Sequence, residues 1–232
     1  MPNVLPVARR FDNATIVCLA PGPTLSAEAV ALVCRALVPV IAVNDAHRLA
    51  PWAEVLYSSD RPWWAHYNGV PSYGGTRIGV GWRPKDASAI RVPSGVAIHV
   101  LENTGHDGLE HDPRGLRTGS NSGYAAVNLA VHLGARRILL VGYTLGTHGG
   151  RSHFFGSHPR GLHESRSEHY AAFRRAFETI VAPLGALGVE VVNCTPGSQL
   201  DVFAHADLAA MLAFEQGARV GARLGAEAVG VC

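Results

Sequence analysis

The sequence predicts an α/β protein built on a mostly parallel sheet with helices on both faces. Three observations carry that expectation. Short apolar runs alternate with helix-length amphipathic segments, the pattern of strand–helix–strand crossovers. Clusters of Pro, Gly, Asn, Ser and Asp follow several apolar runs, where strands would hand over to helices. The chain has 232 residues, 47% hydrophobic and 16% charged, enough to bury one sizeable core.

The elements follow in order. Thr15–Ala20 (TIVCLA) reads as the first strand, and a Pro/Gly turn leads to a helix near Ser26–Leu37 with Ser26 as its cap. Val38–Val43 and Glu54–Tyr57 are the next strands, the latter followed by a short helix near Pro62–Tyr67. Arg77–Val80 and Val96–Leu101 read as further strands, and Glu102–Arg117 as a loop. A strong helix is expected at Ser120–Leu133, capped by Ser120. Ile138–Val141 (ILLV) is the clearest buried strand, and a Gly/His loop runs from Tyr143 to about Ser165. A helix near Ser167–Leu187 carries Pro183 in its last turn. Val189–Val192 is the last expected strand, with a helix near Ala204–Phe214 after it. Residues 1–214 are read as a single domain and 215–232 as a Gly/Ala-rich tail.

Composition excludes several classes. Net charge is +2, from 20 basic and 18 acidic residues, with no basic block, so nothing points to nucleic acid. The N-terminus has no signal-peptide pattern, and no stretch approaches the ~20 apolar residues of a membrane span. The four cysteines are far apart and form no CxxC pair, which argues against a disulfide framework or a cysteine zinc site. A cytoplasmic protein is expected, and a homo-oligomer is compatible with the sequence.

Parallel sheets bind ligands at the carboxyl ends of their strands. Four polar motifs follow predicted strands, namely Pro21–Ser26, Asn44-Asp45, Ser58–Asp60 and Asn193–Ser198; a fifth, Thr118–Gly123, opens a helix. Gly22 lets backbone approach a ligand, and a helix N-terminus supplies amides and a positive dipole end. The same turn also reads as an ordinary strand–turn–helix with a Ser cap. In TGSNSG, Thr118, Gly119, Ser120, Asn121, Ser122 and Gly123 outnumber what a cap requires, which favours an anion site over a merely capped helix. Asn44 and Asp45 suit ribose hydroxyls or a base edge, or else an Asx turn. Asp60 is a base or acceptor-positioning candidate, or the cap of the helix beginning at Arg61-Pro62. Trp63 and Trp64 stack on a ligand ring or pack.

Histidine is abundant, with 12 residues. His148, His153, His158 and His163 recur every five residues in the loop GTHGGRSHFFGSHPRGLH, a spacing that is neither helical nor strand-like. Imidazoles there suit general acid–base work or phosphate contact, ahead of zinc, whose usual ligand spacings are absent. Arg151 and Arg160 can add phosphate contacts. A mobile exposed loop is the competing reading. His158 is the preferred catalytic residue because Pro159 restricts its backbone; His153 is the substitute.

These motifs resemble a family. GPTLS, VNDA and SNSGYAAVNLAVHLGARRILLVGYTLGTHGGRSH are similar to the MptE-like group. It includes archaeal 6-hydroxymethylpterin diphosphokinases and flagellin-modifying nonulosonic-acid transferases. The motifs also resemble the small bacterial sialyltransferases that use a CMP-activated donor. HFFGSHPRGL and VEVVNCTPGS look closest to short proteins of phages and prophages. The resemblance covers most of Thr15–Asp207 and implies a Rossmann-like, GT-A-like fold. It places Gly22, Thr24 and Ser26 at the nucleotide-side turn, Asn44 near the nucleoside, and Ser120–Gly123 at the donor phosphates. His153 and His158 fall in the loop that carries the sialyltransferase histidine.

Two departures from the family matter. Relatives read GYD or GQD where this chain has Tyr143-Thr144, and GDHP where it has Gly156-Ser157-His158-Pro159. Hydroxyls thus replace two carboxylates that magnesium chemistry would use. The expected function is a metal-independent transferase using a nucleotide-activated sugar, CMP-linked by preference, with Thr195 also near the donor. The alternatives are a pterin-type diphosphokinase using ATP and magnesium at Asp45 and Asp60, and a non-catalytic nucleotide-binding or phage-associated protein. The acceptor is a glycan, a protein or a modified DNA base.

Overall fold

A computed structural model describes residues 4–81, 90–162 and 164–217 of the chain. His163 and the tail from 218 lie outside the described residues. Among the described residues, nine strands form one sheet in the order β6-β5-β4-β3-β2-β1-β7-β8-β9. They are β1 (Ala14–Leu19), β2 (Val40–Val43), β3 (Val55–Ser58), β4 (Thr76–Gly81), β5 (His99–Gly105), β6 (Gly115–Arg117), β7 (Ala135–Val141), β8 (Glu190–Asn193) and β9 (Ala204–His205). All eight neighbouring pairs are parallel. The α/β, Rossmann-like expectation holds.

The helices are α1 (Ala27–Ala36), α2 (Arg61–His66), α3 (Ser122–Leu133) and α4 (Ser167–Ala186), with a further helix, α5, described over 208–217. Side chains alternate along the central strands, so each strand feeds two cores. Ile16, Cys18, Ile41, Val43, Ile138 and Leu140 pack against α3 and α4. Val17, Leu19, Val40, Ala42, Leu139 and Val141 pack against α1 and α5. A third cluster joins Leu56 to Trp63 and Trp64, so both tryptophans are packing residues in this structure.

α3 explains the central geometry. Eleven of its twelve residues are buried, because it lies across the sheet's middle. Its alanines let it sit close to the strands, while Asn128 and His132 turn their polar atoms to the Glu110 and Gly115 carbonyls.

The structure corrects three expectations. The segment Glu102–Arg117 is not all loop, since β5 runs to Gly105 and a three-residue edge strand returns at Gly115. The cap of α3 is Asn121, whose side chain accepts from Tyr124 N; Ser120 sits before it with φ 53°. Ala204–His205 is a short strand beside β8, not helix. The helix α5 begins after it, with Asp207 accepting from Ala210 N at 2.8 Å.

At the centre, β1 and β7 leave the sheet with their backbones pressed together. A Cβ on Gly142 (φ 78°) would lie 2.1 Å from the Ala20 oxygen, and one on Gly22 would lie 2.2 Å from the Gly142 oxygen. Gly142→Ala should therefore cost roughly 2–5 kcal/mol, summing a left-handed backbone and an overpacked contact. Gly74, where nothing lies within 4 Å of an added Cβ, is the control. Gly74→Ala should stay within about 0.5 kcal/mol of the parent in urea denaturation. Equal midpoints for the two variants would contradict this account.

Candidate functional site

The sheet's strand order reverses between β1 and β7, which opens a crevice at the carboxyl ends of the strands. A cleft of about 310 Å³ occupies it. Its walls come from separate elements. The β1 exit gives Ala20–Pro23, the β2 exit Asn44, and the β3 exit Ser59 and Asp60. Pro62 and Trp63 of α2 extend that side. Thr118 and Ser120–Gly123 form the α3 side. The β7 exit gives Gly142 and Tyr143, and the histidine loop gives Ser152, His153 and His158. Tyr170 and Phe173 of α4 complete the lining.

Local folding fixes these groups. Asn44 opens a 3-10 turn (Asn44–Arg48) with φ 48°, and His47 Nδ1 donates to its carbonyl at 2.9 Å. Ser122 Oγ accepts from Ser59 N at 3.0 Å, tying the start of α3 to the β3 exit. Tyr143 OH donates to Gly123 O at 3.0 Å, and a Cβ on Gly123 would meet that ring at 2.8 Å. Ser120 and Leu145 line the cleft in left-handed conformations, φ 53° and 44°, where such strain is often tied to function. The first turn of α3 opens on the cleft, the end at which a helix offers amides and its positive dipole.

The histidine loop is pinned over this opening. Phe154 N donates to Pro21 O at 3.2 Å, and the Arg48 guanidinium lies 5.2 Å from the Phe155 ring centre. Glu164 organises its interior. One carboxylate oxygen accepts from His158 N at 2.8 Å, and the other accepts from Ser152 Oγ and stands 3.5 Å from His153 Nδ1. Desolvation alone would raise the Glu164 pKa; the Ser152 hydroxyl and His158 amide bring it below the ordinary carboxylate value.

Not every expected residue reaches the cleft. Gly22, Asn44, Asp60, Thr118, Ser120, Asn121, Ser122, Gly123, His153 and His158 line it. Asp45 does not. It is fully buried and accepts from Trp63 Nε1 at 2.8 Å and Tyr67 OH at 2.6 Å. Gly119 packs under the Tyr124 ring instead. Thr24, Ser26 and Thr195 line a second hollow of about 530 Å³ rather than the cleft. Ser26 Oγ caps α1 through Ala29 N, Thr24 Oγ1 meets Thr144 Oγ1 at 2.8 Å, and Thr195 Oγ1 accepts from Tyr143 N at 2.9 Å. Among the described residues, no group of three or more His, Cys, Asp or Glu side chains is placed to hold a metal ion.

Glu164, Ser152, Tyr143, Tyr170 and Phe173 escaped the motif reading. Glu164 had a signal: it is the single acidic residue between Tyr143 and Arg166. The aromatic residues had none, since nothing in their spacing separates a cleft wall from a core.

No family model and no curated protein matches the sequence. Among solved structures, the fold is similar to that of a MAf glycosyltransferase from Magnetospirillum magneticum AMB-1. The TM-score is 0.59 at 12% identity, over 93% of this chain and 38% of that one. At that identity the likeness is one of fold, and this chain spans 38% of the length of its neighbour. Among the described residues, no helix is long and apolar enough to cross a membrane.

Burial, then the adjacent His158 imidazole, lowers the His153 pKa to about 4, against the pull of Glu164 and Asp45. In the unfolded chain a histidine titrates near 6.5. Between about pH 6.5 and 4 the unfolded chain thus holds a proton that the folded one refuses. This share of stability is complete above the window and declines as the pH falls through it. His153→Gln should remove the share. Its unfolding free energy, compared with the parent in urea at each pH, should gain on the parent as pH drops from about 6.5 to 4. A difference constant across that range would refute the buried neutral imidazole.

Proposed function

We infer that the protein is a transferase that takes a sugar from a nucleotide-activated donor, CMP-linked by preference, without a metal. One observation carries this reading. Around a single cleft at the sheet's switch point, Asn44 Oδ1, His153 Nδ1, His158 Nδ1 and Tyr170 OH are buried without a hydrogen-bond partner. Each such atom costs about 1–3 kcal/mol, so a cluster of them fits a polar ligand that completes the set.

In this reading the β1 turn at Gly22 and the first turn of α3 hold the donor phosphates, and Asn44 meets the nucleoside. The acceptor hydroxyl oxygen attacks the anomeric carbon, and the bond from that carbon to the phosphate oxygen breaks. The nucleotide leaves with the electron pair. His158, with His153 beside it, takes the acceptor's proton or gives one to the departing phosphate. Asp60 orients the acceptor. The acceptor is a glycan, protein or modified base, as the sequence left it. The fold shared with a glycosyltransferase supports the reading. The magnesium alternative is weakened by Asp45, whose oxygens already serve Trp63 and Tyr67.

Thermal shift tests the donor. CMP should stabilise the protein, by about 2.7 kcal/mol at 100 times its dissociation constant, where pterin and S-adenosylmethionine do not. Stabilisation by ATP with magnesium and not by CMP would favour the diphosphokinase instead. Once activity is measured, His158→Ala should lower kcat by at least ~10²-fold with nucleotide affinity retained. Unchanged kcat in both His158→Ala and His153→Ala would take the loop out of the chemistry.

A further inference from the structure

His153 and His158 form a close pair. Their ring centroids are 4.2 Å apart, and the planes meet at 56°. Phe155 stacks on His153 at 5.0 Å and holds its plane. Both Nδ1 atoms are buried without a hydrogen-bond partner, as is the Tyr170 hydroxyl, beside which Ser152 stands. All three residues line the cleft. Phe155 and Glu164 secure the pair while its Nδ1 atoms stay unmatched.

We propose that the His153–His158 pair binds a phosphate group of the ligand and takes up one proton as it does so. The proposal deepens the sugar-nucleotide reading, and rests on it only for the source of the phosphate.

The charges around the pair make the proton necessary. Glu164 from the loop stands 3.5 Å from His153 Nδ1. Asp45 from the turn after β2 adds a second negative charge near His153. Asp60 lines the same cleft. Against these, Arg48 is 3.8 Å from Asp45 and lies over Phe155, and Tyr170 of α4 is a neutral hydroxyl beside the loop. A phosphate entering next to ionised Glu164 would meet net negative charge. One proton on the pair offsets the Glu164 charge and turns an unmatched Nδ1 into a charged donor to a phosphate oxygen. The proton comes from solvent, and it is then at hand for the leaving phosphate.

Anion binding to the protonated form must raise the pair's apparent pKa, by linkage. The full chain, labelled with 15N, can be titrated with pH while the imidazole nitrogens are followed by NMR, with and without saturating inorganic phosphate. The midpoint of His153 or His158 should rise by about one pH unit in phosphate. That corresponds to ~10-fold tighter binding to the protonated pair. In His153→Gln, shown folded by its melting curve, the phosphate-dependent shift at His158 should shrink or vanish. Midpoints that phosphate leaves unmoved, or phosphate affinity equal at acid and alkaline pH, would overturn the proposal. If CMP still stabilises the protein in that event, the sugar-transfer reading stands without the pair. If phosphate moves the midpoints while CMP fails to bind, the reverse holds.

Discussion

The structure depends on one close approach. β1 and β7, more than a hundred residues apart in sequence, end side by side, with Ala20 N bonded to Val141 O at 2.8 Å and Gly22 N to Gly142 O at 3.1 Å. Side chains are excluded there, so the two exits start from nearly the same point and diverge. One turns into α1 and the other into the histidine loop. The cleft is what their divergence leaves open on one side, and the second hollow is what it leaves on the other. A bulkier contact would push the strands apart and merge or erase both spaces.

Much of this order was legible in the residues. Apolar runs located the central strands because a parallel strand covered on both faces must be apolar nearly throughout. Boundaries drifted by a few residues, since strand ends are set by neighbours: β2 starts at Val40, where its amide finds the Glu54 carboxylate at 2.8 Å. β6 and β9 escaped notice because three and two residues carry no periodic signal. Each exists through the partner strand beside it. TGSNSG announced a helix start, but six small polar residues cannot say which one caps; the backbone decided for Asn121 by placing Ser120 at positive φ.

The cleft was legible only in part, for a related reason. A strand-end polar residue can face either side of the ridge where β1 and β7 meet. Asn44 and Asp60 turned toward the histidine loop, whereas Thr195 was drawn back by the Tyr143 amide and Thr24 by Thr144. Adjacent positions went opposite ways as well. Asn44 lines the cleft with an unsatisfied oxygen, and Asp45 beside it is locked inside by an indole and a phenol. Sequence proximity to a site is not access to it. The aromatic wall from α4 depended on how a distant helix packs, which local spacing does not encode.

The histidine loop is attached differently from everything else around the cleft. The sheet's contributions are fixed by ladders and by an almost wholly buried helix. Among the described residues, the loop's contacts with the body include Phe154 on Pro21, Arg48 over the phenylalanines and Arg174 holding Leu145 O at 2.8 Å, with Leu145, Phe154 and Leu162 packed at the edges of the three cores. Its internal order comes from its own Glu164. Such a segment can be rewritten in length and composition while the platform beneath it stays intact. Evolution therefore has a cheap route to new acceptors here: diversify the graft and leave the rootstock alone.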